Sequence, residues 1–491
     1  MLHTLIRQEL LTHLMSARFL AAVVITLLLV VANTIVLIND HENRVANYSQ
    51  QEKVHHEKAV EAETYSTLKL FVERPPNPLS LFSAGLDKRL GTTVEIHHDT
   101  VPTISSVSAR NLENPYLNLF SQIDLVSIFQ VVLSLLALLF AYDAIAGDWE
   151  SGTLRLVISH PVRRGAILFA KYLAAMICLL LPVLMSLLMV MIQLSVTSSI
   201  QLSTADFLRI GGIVVTTTIY LSVFYLIGLL ISTTTRRTAT SLMLCMFLWV
   251  VLVLVYPNWS RFSFNPVSDM RAERQSASQQ IDQIWEEADR EEQRFLANSP
   301  LTGEPPKFGI GYSGYSSSGG RRYGFNMTQV NSNSEPLLPH FQDYQAFMRA
   351  THIRAAEKVG LIREQRLART TLQQATWDER LMKLSPASLY TFATAAWAGT
   401  DLNGMLDFSR ATQNYRQTFI NYLHDKDAFA SRLWFASDQG TVDWSDLPRF
   451  RFAVADVSEN AQRALSDMSL LFLMNLVLFM VTFLILVKIE V

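Results

Sequence analysis

Charge, cysteine and nucleotide-binding glycine loops are what this sequence has least of. Only 17% of its 491 residues are Asp, Glu, Lys or Arg, against 50% hydrophobic, and the mean hydropathy is +0.21. That balance favours a membrane protein over an ordinary soluble chain of this length and points to lipid as part of the solvent. The 41 basic and 43 acidic residues leave a net charge near −2, so there is no basic field to attract nucleic acid. The two cysteines, Cys178 and Cys245, both lie within apolar runs, which excludes a disulfide framework and a Cys-rich zinc site and leaves them as small core hydrophobes. No G-x-x-x-x-G-K-[ST] string occurs, so a nucleotide engine, if one is used, is expected in a partner polypeptide. No internal repeat is visible.

What is abundant is long apolar runs. A bilayer core takes roughly 20 apolar residues of helix, and six stretches qualify: 19–38, 125–145, 166–194, 207–231, 239–257 and 469–489. The first is too long for a signal-peptide core and lacks a small-x-small cleavage site after it. Asp143, Lys171, Arg209 and Lys488 are confined to the ends of these runs, as the cost of a charge at mid-bilayer requires. The expected fold is an all-α polytopic membrane protein, with six transmembrane helices and a mostly helical extracytoplasmic domain.

Orientation follows from basic residues in short loops, which are retained inside. Arg155, Arg163 and Arg164 fall in the loop 146–165, Arg236 and Arg237 in the next inner connection, and Arg7 and Arg18 near the N-terminus, while 195–206 has none before its closing Asp206. Both termini are therefore expected in the cytoplasm, with 39–124 and 258–467 outside. Within the larger outer segment, 269–297 and 340–384 are charge-rich. The latter carries Phe341, Tyr344, Met348, Ala355, Val359 and Ile362 at helical spacing. These predict long amphipathic helices packed on each other or on a helix over 41–72. The stretch 300–339, rich in Gly, Ser and Pro, predicts a loop. Residues 1–18 alternate apolar and polar at helical period and predict an interfacial helix before the first span.

Several strings carry no chemistry. Gly309-Ile-Gly311-Tyr-Ser313-Gly314 has no strand before it and no helix after it. The contained Gly311-Tyr-Ser313-Gly314, which is similar to an intramembrane serine-protease string, sits in a polar outer stretch. His55–His56 and His97–His98 are adjacent pairs whose side chains diverge, unlike ligands at i and i+4, and are expected to be solvated. The N-x-[ST] strings at Asn47, Asn258 and Asn326 have no consequence without a glycosylating host. No catalytic residue, metal site or cofactor is assigned to this chain.

The informative stretch runs from Tyr142 to Lys171 between the second and third spans. With Glu150, Gly152, Thr153, Leu154, Pro161, Arg163 and Lys171 in place, it resembles the first cytoplasmic loop of type-2 ATP-binding-cassette permeases. Trp149 departs from the pattern, standing where a charged residue is usual. A second similarity joins Leu384-Ser-Pro-Ala-Ser-Leu-Tyr390, Ala398-Gly-Thr-Asp401 and Tyr415-Arg416 to a bacterial subgroup with a large outer insertion before the last span. In better-known relatives short re-entrant helices stand there instead. The resemblance implies that 147–165 is the helix that seats in a groove of a separate ATPase. ATP and Mg then bind the partner, and the permease pairs with itself or a paralogue in the bacterial inner membrane. Physics is compatible: Glu150 favours the positive end of a helix dipole, 153–158 supplies an apolar face, and Pro161 stops the helix so that Arg163 and Arg164 face anionic lipid or the ATPase. Leu154, Leu156 and Val157 are the expected contact face, with Glu150 and Arg155 setting its orientation. Asp143, at an inner span end, is expected to be held by a basic or hydroxyl partner.

The expected function is that of an ABC transporter permease subunit, with export favoured over import. The alternative is a non-transporting scaffold or sensor whose outer helices bind an envelope protein.

Overall fold

The computed structural model describes residues 2–87, 93–102, 123–153, 164–197, 200–257, 267–298, 335, 338–366, 382–434 and 436–488. The strings at 309–314, and Asn258 and Asn326, lie outside them.

A short helix α1 (Leu2–Leu14) precedes α2 (Ala17–Val60), whose start is capped where the Phe19 N–H donates to the Ser16 hydroxyl at 3.2 Å. Five more helices are long and apolar enough to cross a membrane: α3 (Leu125–Glu150), α4 (Arg164–Val196), α5 (Thr204–Thr234), α6 (Thr238–Val255) and, at the C-terminal end, α11 (Val457–Lys488). Between α6 and α11 stand α7 (Val267–Asn298), α8 (Leu338–Arg366), α9 (Pro386–Ala398) and α10 (Leu402–Asp425). The chain is an almost wholly helical, multi-pass membrane protein, as the apolar runs require.

At 44 residues, α2 is about 66 Å long, twice a bilayer core, and its polar second half continues beyond the apolar run. It stops at Val60, short of the expected 72, because Leu70 and Val72 alternate inward with strand period. They form β1 (Leu70–Glu73), which pairs antiparallel with β2 (Thr93–Ile96) in the register Leu70↔Ile96. This hairpin is the only sheet among the described residues.

The span bundle is centred on α5, whose Tyr220, Phe224 and Tyr225 are buried among Leu133 and Ala137 of α3 and Cys178 and Val183 of α4. Gly228 permits a close approach of α3: a Cβ there would stand 2.6 Å from the Ala141 Cβ. Both cysteines are buried thiols.

The resemblance at 384–401 resolves into capping chemistry. Ser385 caps α9, Pro386 takes its first turn, Gly399 closes it at φ +67°, and Asp401 caps α10. Although it lies within the segment expected outside, α9 shares the apolar cluster of the spans through Ala387, Leu389 and Tyr390. Tyr390 stacks on Tyr220 with centroids 4.3 Å apart, and its hydroxyl lies 2.9 Å from that of Thr217. Gly212 of α5 leaves room for Trp397, whose ring would be 2.3 Å from a Cβ.

The remaining helices build two further clusters. In one, Ile281, Trp285 and Ala288 of α7 pack on Ala355 and Val359 of α8, the expected mutual packing. In the other, the hairpin and α10 surround Trp434 and Trp444. The histidine pairs are not all solvated. His55 stacks on Phe71 at 4.4 Å and lies 3.1 Å from Glu73, and His97 is 2.8 Å from Glu95. His98 meets the Trp434 ring edge-on at 5.4 Å and the Arg349 guanidinium at 3.2 Å. The turn after β2 carries His97 and His98 inward against α8 and α10, which one-dimensional spacing does not reveal.

Candidate coupling site

At the bundle end that carries α1 and the α3–α4 and α5–α6 connections, the helix of α3 breaks. Residues 142–145 form a turn, and a last helical piece, Ala146–Glu150, follows. The N–H groups freed by the break, those of Ile145 and Ala146, both donate to the Ser232 hydroxyl of α5 at 3.0 and 2.9 Å. Asp143 lies in that turn and is partnered as expected: Arg18 of α2 donates to its carboxylate at 2.9 Å while lying 5.1 Å over the Tyr142 ring.

Glu150 ends a helix rather than starting one. Its carboxylate accepts from the N–H of Thr238 at 3.0 Å and from the Thr238 hydroxyl at 2.7 Å. Arg237, the cap residue of α6, supplies no side-chain cap of its own, so Glu150 serves the positive end of α6 from another loop. The adjacent Trp149 lies beneath the Arg236 guanidinium at 5.4 Å, which gives this departure from the family pattern a role in joining the two connections. Gly152 turns the chain at φ +72°, a conformation open to glycine at no steric cost. The Thr153 hydroxyl reaches the Ser151 hydroxyl at 2.9 Å and the Asp148 carboxylate at 3.4 Å.

Leu154, Arg155, Leu156, Val157, Pro161 and Arg163 lie outside the described residues. The chain resumes at Arg164, which was expected to face lipid or a partner. It instead donates to the carbonyls of Leu486 and Val487 at 3.2 and 2.7 Å, a cation meeting the unsatisfied C-terminal end of α11.

Three residues here carry structure that sequence spacing did not single out as a site. Lys171 of α4, only 12% exposed, lies 2.8 Å from Glu9 of α1 and 3.4 Å from Asp148 of α3. One ammonium thus ties three helices. Lys171 was visible as the mark of its span, and Glu9 as the lone acid of α1, but nothing in their separation links them. His13, beside Phe140 at 4.6 Å, packs α1 down, and this burial pushes its imidazole below its ordinary pKa. The result is a braced platform. Of the loop's described ends, Thr153 is held to the turn before it through Ser151 and Asp148, and Arg164 is fixed to the end of α11.

The model for the ABC-2 family of transporter proteins matches residues 3–487. The chain belongs to the ABC-2 transporter family. Over 134 residues it is 29% identical to a "probable ABC transporter permease protein NosY" of Stutzerimonas stutzeri, covering 27% of this chain and 48% of that one. Over 50 residues it is 46% identical to the protein of the same description from Pseudomonas aeruginosa, covering 10% and 18%. The chain thus matches about half the length, or less, of these curated relatives.

Proposed function

We propose that this ABC-2 protein is the membrane-spanning permease subunit of an ATP-driven transporter, and that 147–165 is where a separate ATPase seats. The observation that carries the reading is the bracing around that loop, in a chain matched by the family over nearly its whole length. A loop that must pass on a push has to be tied to what it moves. Asp148, Glu150 and Arg164 reach α4, α6 and α11 respectively. ATP-driven closure of the partner would displace the loop against Leu154, Leu156 and Val157 and move these helices together, a rigid-body gating step. ATP and Mg belong to the partner.

Two copies, or one copy with a paralogue, would pair in a bacterial inner membrane with both termini inside. Export is the favoured direction. The apolar spans and bulky outer domain suit a lipid, a hydrophobic peptide or drug, or force transmission to an envelope protein.

Co-purification in mild detergent tests the reading: an ATPase should accompany the chain. If only envelope proteins do so, the scaffold or sensor reading replaces it. Cysteine labelling of intact cells tests orientation, with a cysteine at Ser317 labelled from outside and one at Ser151 protected.

A further inference from the structure

We infer that the segment 449–454 is a docking strand for an acidic, extended stretch of another polypeptide. Residues 447–456 run without turn or bend from the outer layer down to α11. Their two ends are fixed. The Tyr415 hydroxyl of α10 donates to the Pro448 carbonyl, Arg209 of α5 donates to the Ala455 carbonyl, each at 2.6 Å, and Asp456 caps α11 through the Val457 N–H at 2.8 Å.

From Arg449 to Ala453 the side chains alternate with strand period, and Val454 after them is exposed. Phe450 and Phe452 turn inward, edge-on to Tyr415 and Phe408 of α10 at 5.3 and 5.4 Å. Arg449, Arg451 and Ala453 are exposed. No backbone N–H or C=O of 449–454 has a hydrogen-bond partner among the described residues. An extended, anchored backbone with one packed face and unused ladder groups is the template that strand addition uses.

The outward arginines select the occupant. Neither Arg449 nor Arg451 has a carboxylate partner among the described residues, whereas their neighbour Arg463 is held by Asp407 and Glu459. Two guanidiniums with no carboxylate partner among the described residues, at i and i+2 on one strand face, match carboxylates at i and i+2 on a paired strand, where opposite charges across a pair are favourable. The complement is an acidic segment with alternating Glu or Asp. This deepens the envelope-facing part of the proposed function and rests on the outward placement of 258–467, but not on ATPase coupling.

The test uses the purified full-length chain in nanodiscs made only of zwitterionic lipid. The probe is a fluorescent ten-residue peptide alternating Glu with Val and Thr, read by anisotropy. Binding is expected and should weaken about tenfold or more in Arg449→Glu/Arg451→Glu, a difference of about 1.4 kcal/mol. The doubly reversed chain should bind the matching Lys peptide instead. A probe with proline at two central positions should fail to bind, because it lacks ladder N–H groups. Equal binding of the Pro probe would overturn strand addition, and unchanged binding by the reversed chain would overturn the charge match. Adding anionic vesicles must not displace the Glu peptide; displacement would mean that the arginines serve lipid headgroups. ATPase co-purification with the same preparations reads the proposed function separately.

Discussion

Lys171 holds Glu9 of α1 at 2.8 Å and Asp148 of α3 at 3.4 Å while little exposed itself. One cation compensating two carboxylates makes the junction asymmetric, because its loss leaves both partly exposed acids near each other without a counter-charge. Lys171→Met should therefore destabilise by about 1–3 kcal/mol and free α1, seen as faster amide exchange over 2–14. Adding Glu9→Gln and Asp148→Asn should recover most of the loss. Unaltered exchange in Lys171→Met would show that the ion contacts do not hold α1.

The Glu150 contact predicts a local effect. Glu150→Ala removes the acceptor for Thr238, so amide exchange at 238–240 should speed up while the rest of α6 is unchanged. Because this carboxylate is exposed, loss of the whole protein from the membrane would contradict a capping role.

Much of the bundle was legible from sequence because a membrane span is long, apolar and self-contained in its backbone hydrogen bonds. Six runs became six helices. What failed was whatever depends on a distant partner. The hairpin joins two four-residue strands across some twenty residues, too short for periodicity to outweigh the helical reading of 41–72. Glu150 read as the start of a helix because an acid before an apolar run favours that end. The chain instead uses it on α6, 88 residues further on. Arg164 likewise looked like a loop charge until α11 ended beside it. The contacts that brace the candidate loop at Glu150 and Arg164 could not be read from the sequence.

Close packing between α5 and α9 gives a steric prediction. A side chain at Gly212 meets the Trp397 ring, so Gly212→Leu should cost roughly 1–3 kcal/mol or more and lower membrane expression. Trp397→Ala in the same chain should restore part of it. If the second substitution only adds damage, α9 does not seat on Gly212 as described.

The cluster around Trp434 should weaken in acid. Burial, opposed by Asp99 and reinforced by Arg349, holds His98 down at about 3, and burial with Arg349 holds His352 at about 4. Unfolded, both titrate near 6.5. The unfolded chain therefore takes up protons first, and stability present above about 6.5 is lost as pH falls toward the folded values. Between pH 7.5 and 5 each histidine should contribute a loss of about 1–2 kcal/mol. Amide exchange of α10 and β2 should accelerate over that range, and less so in His98→Asn. A flat profile would mean that these rings are hydrated in the folded state.

The central claim is that 147–165 seats an ATPase, and Leu154→Asp tests it most directly. Burying a leucine in a groove is worth roughly 1.5–3 kcal/mol, so a charge there should weaken docking by about tenfold or more. Glu150→Arg should act more mildly, as a rim charge. The measurement is the amount of ATPase recovered per copy of the chain purified in mild detergent. The account predicts normal membrane levels of Leu154→Asp with the ATPase lost. Full retention of the ATPase, with activity intact, would contradict it.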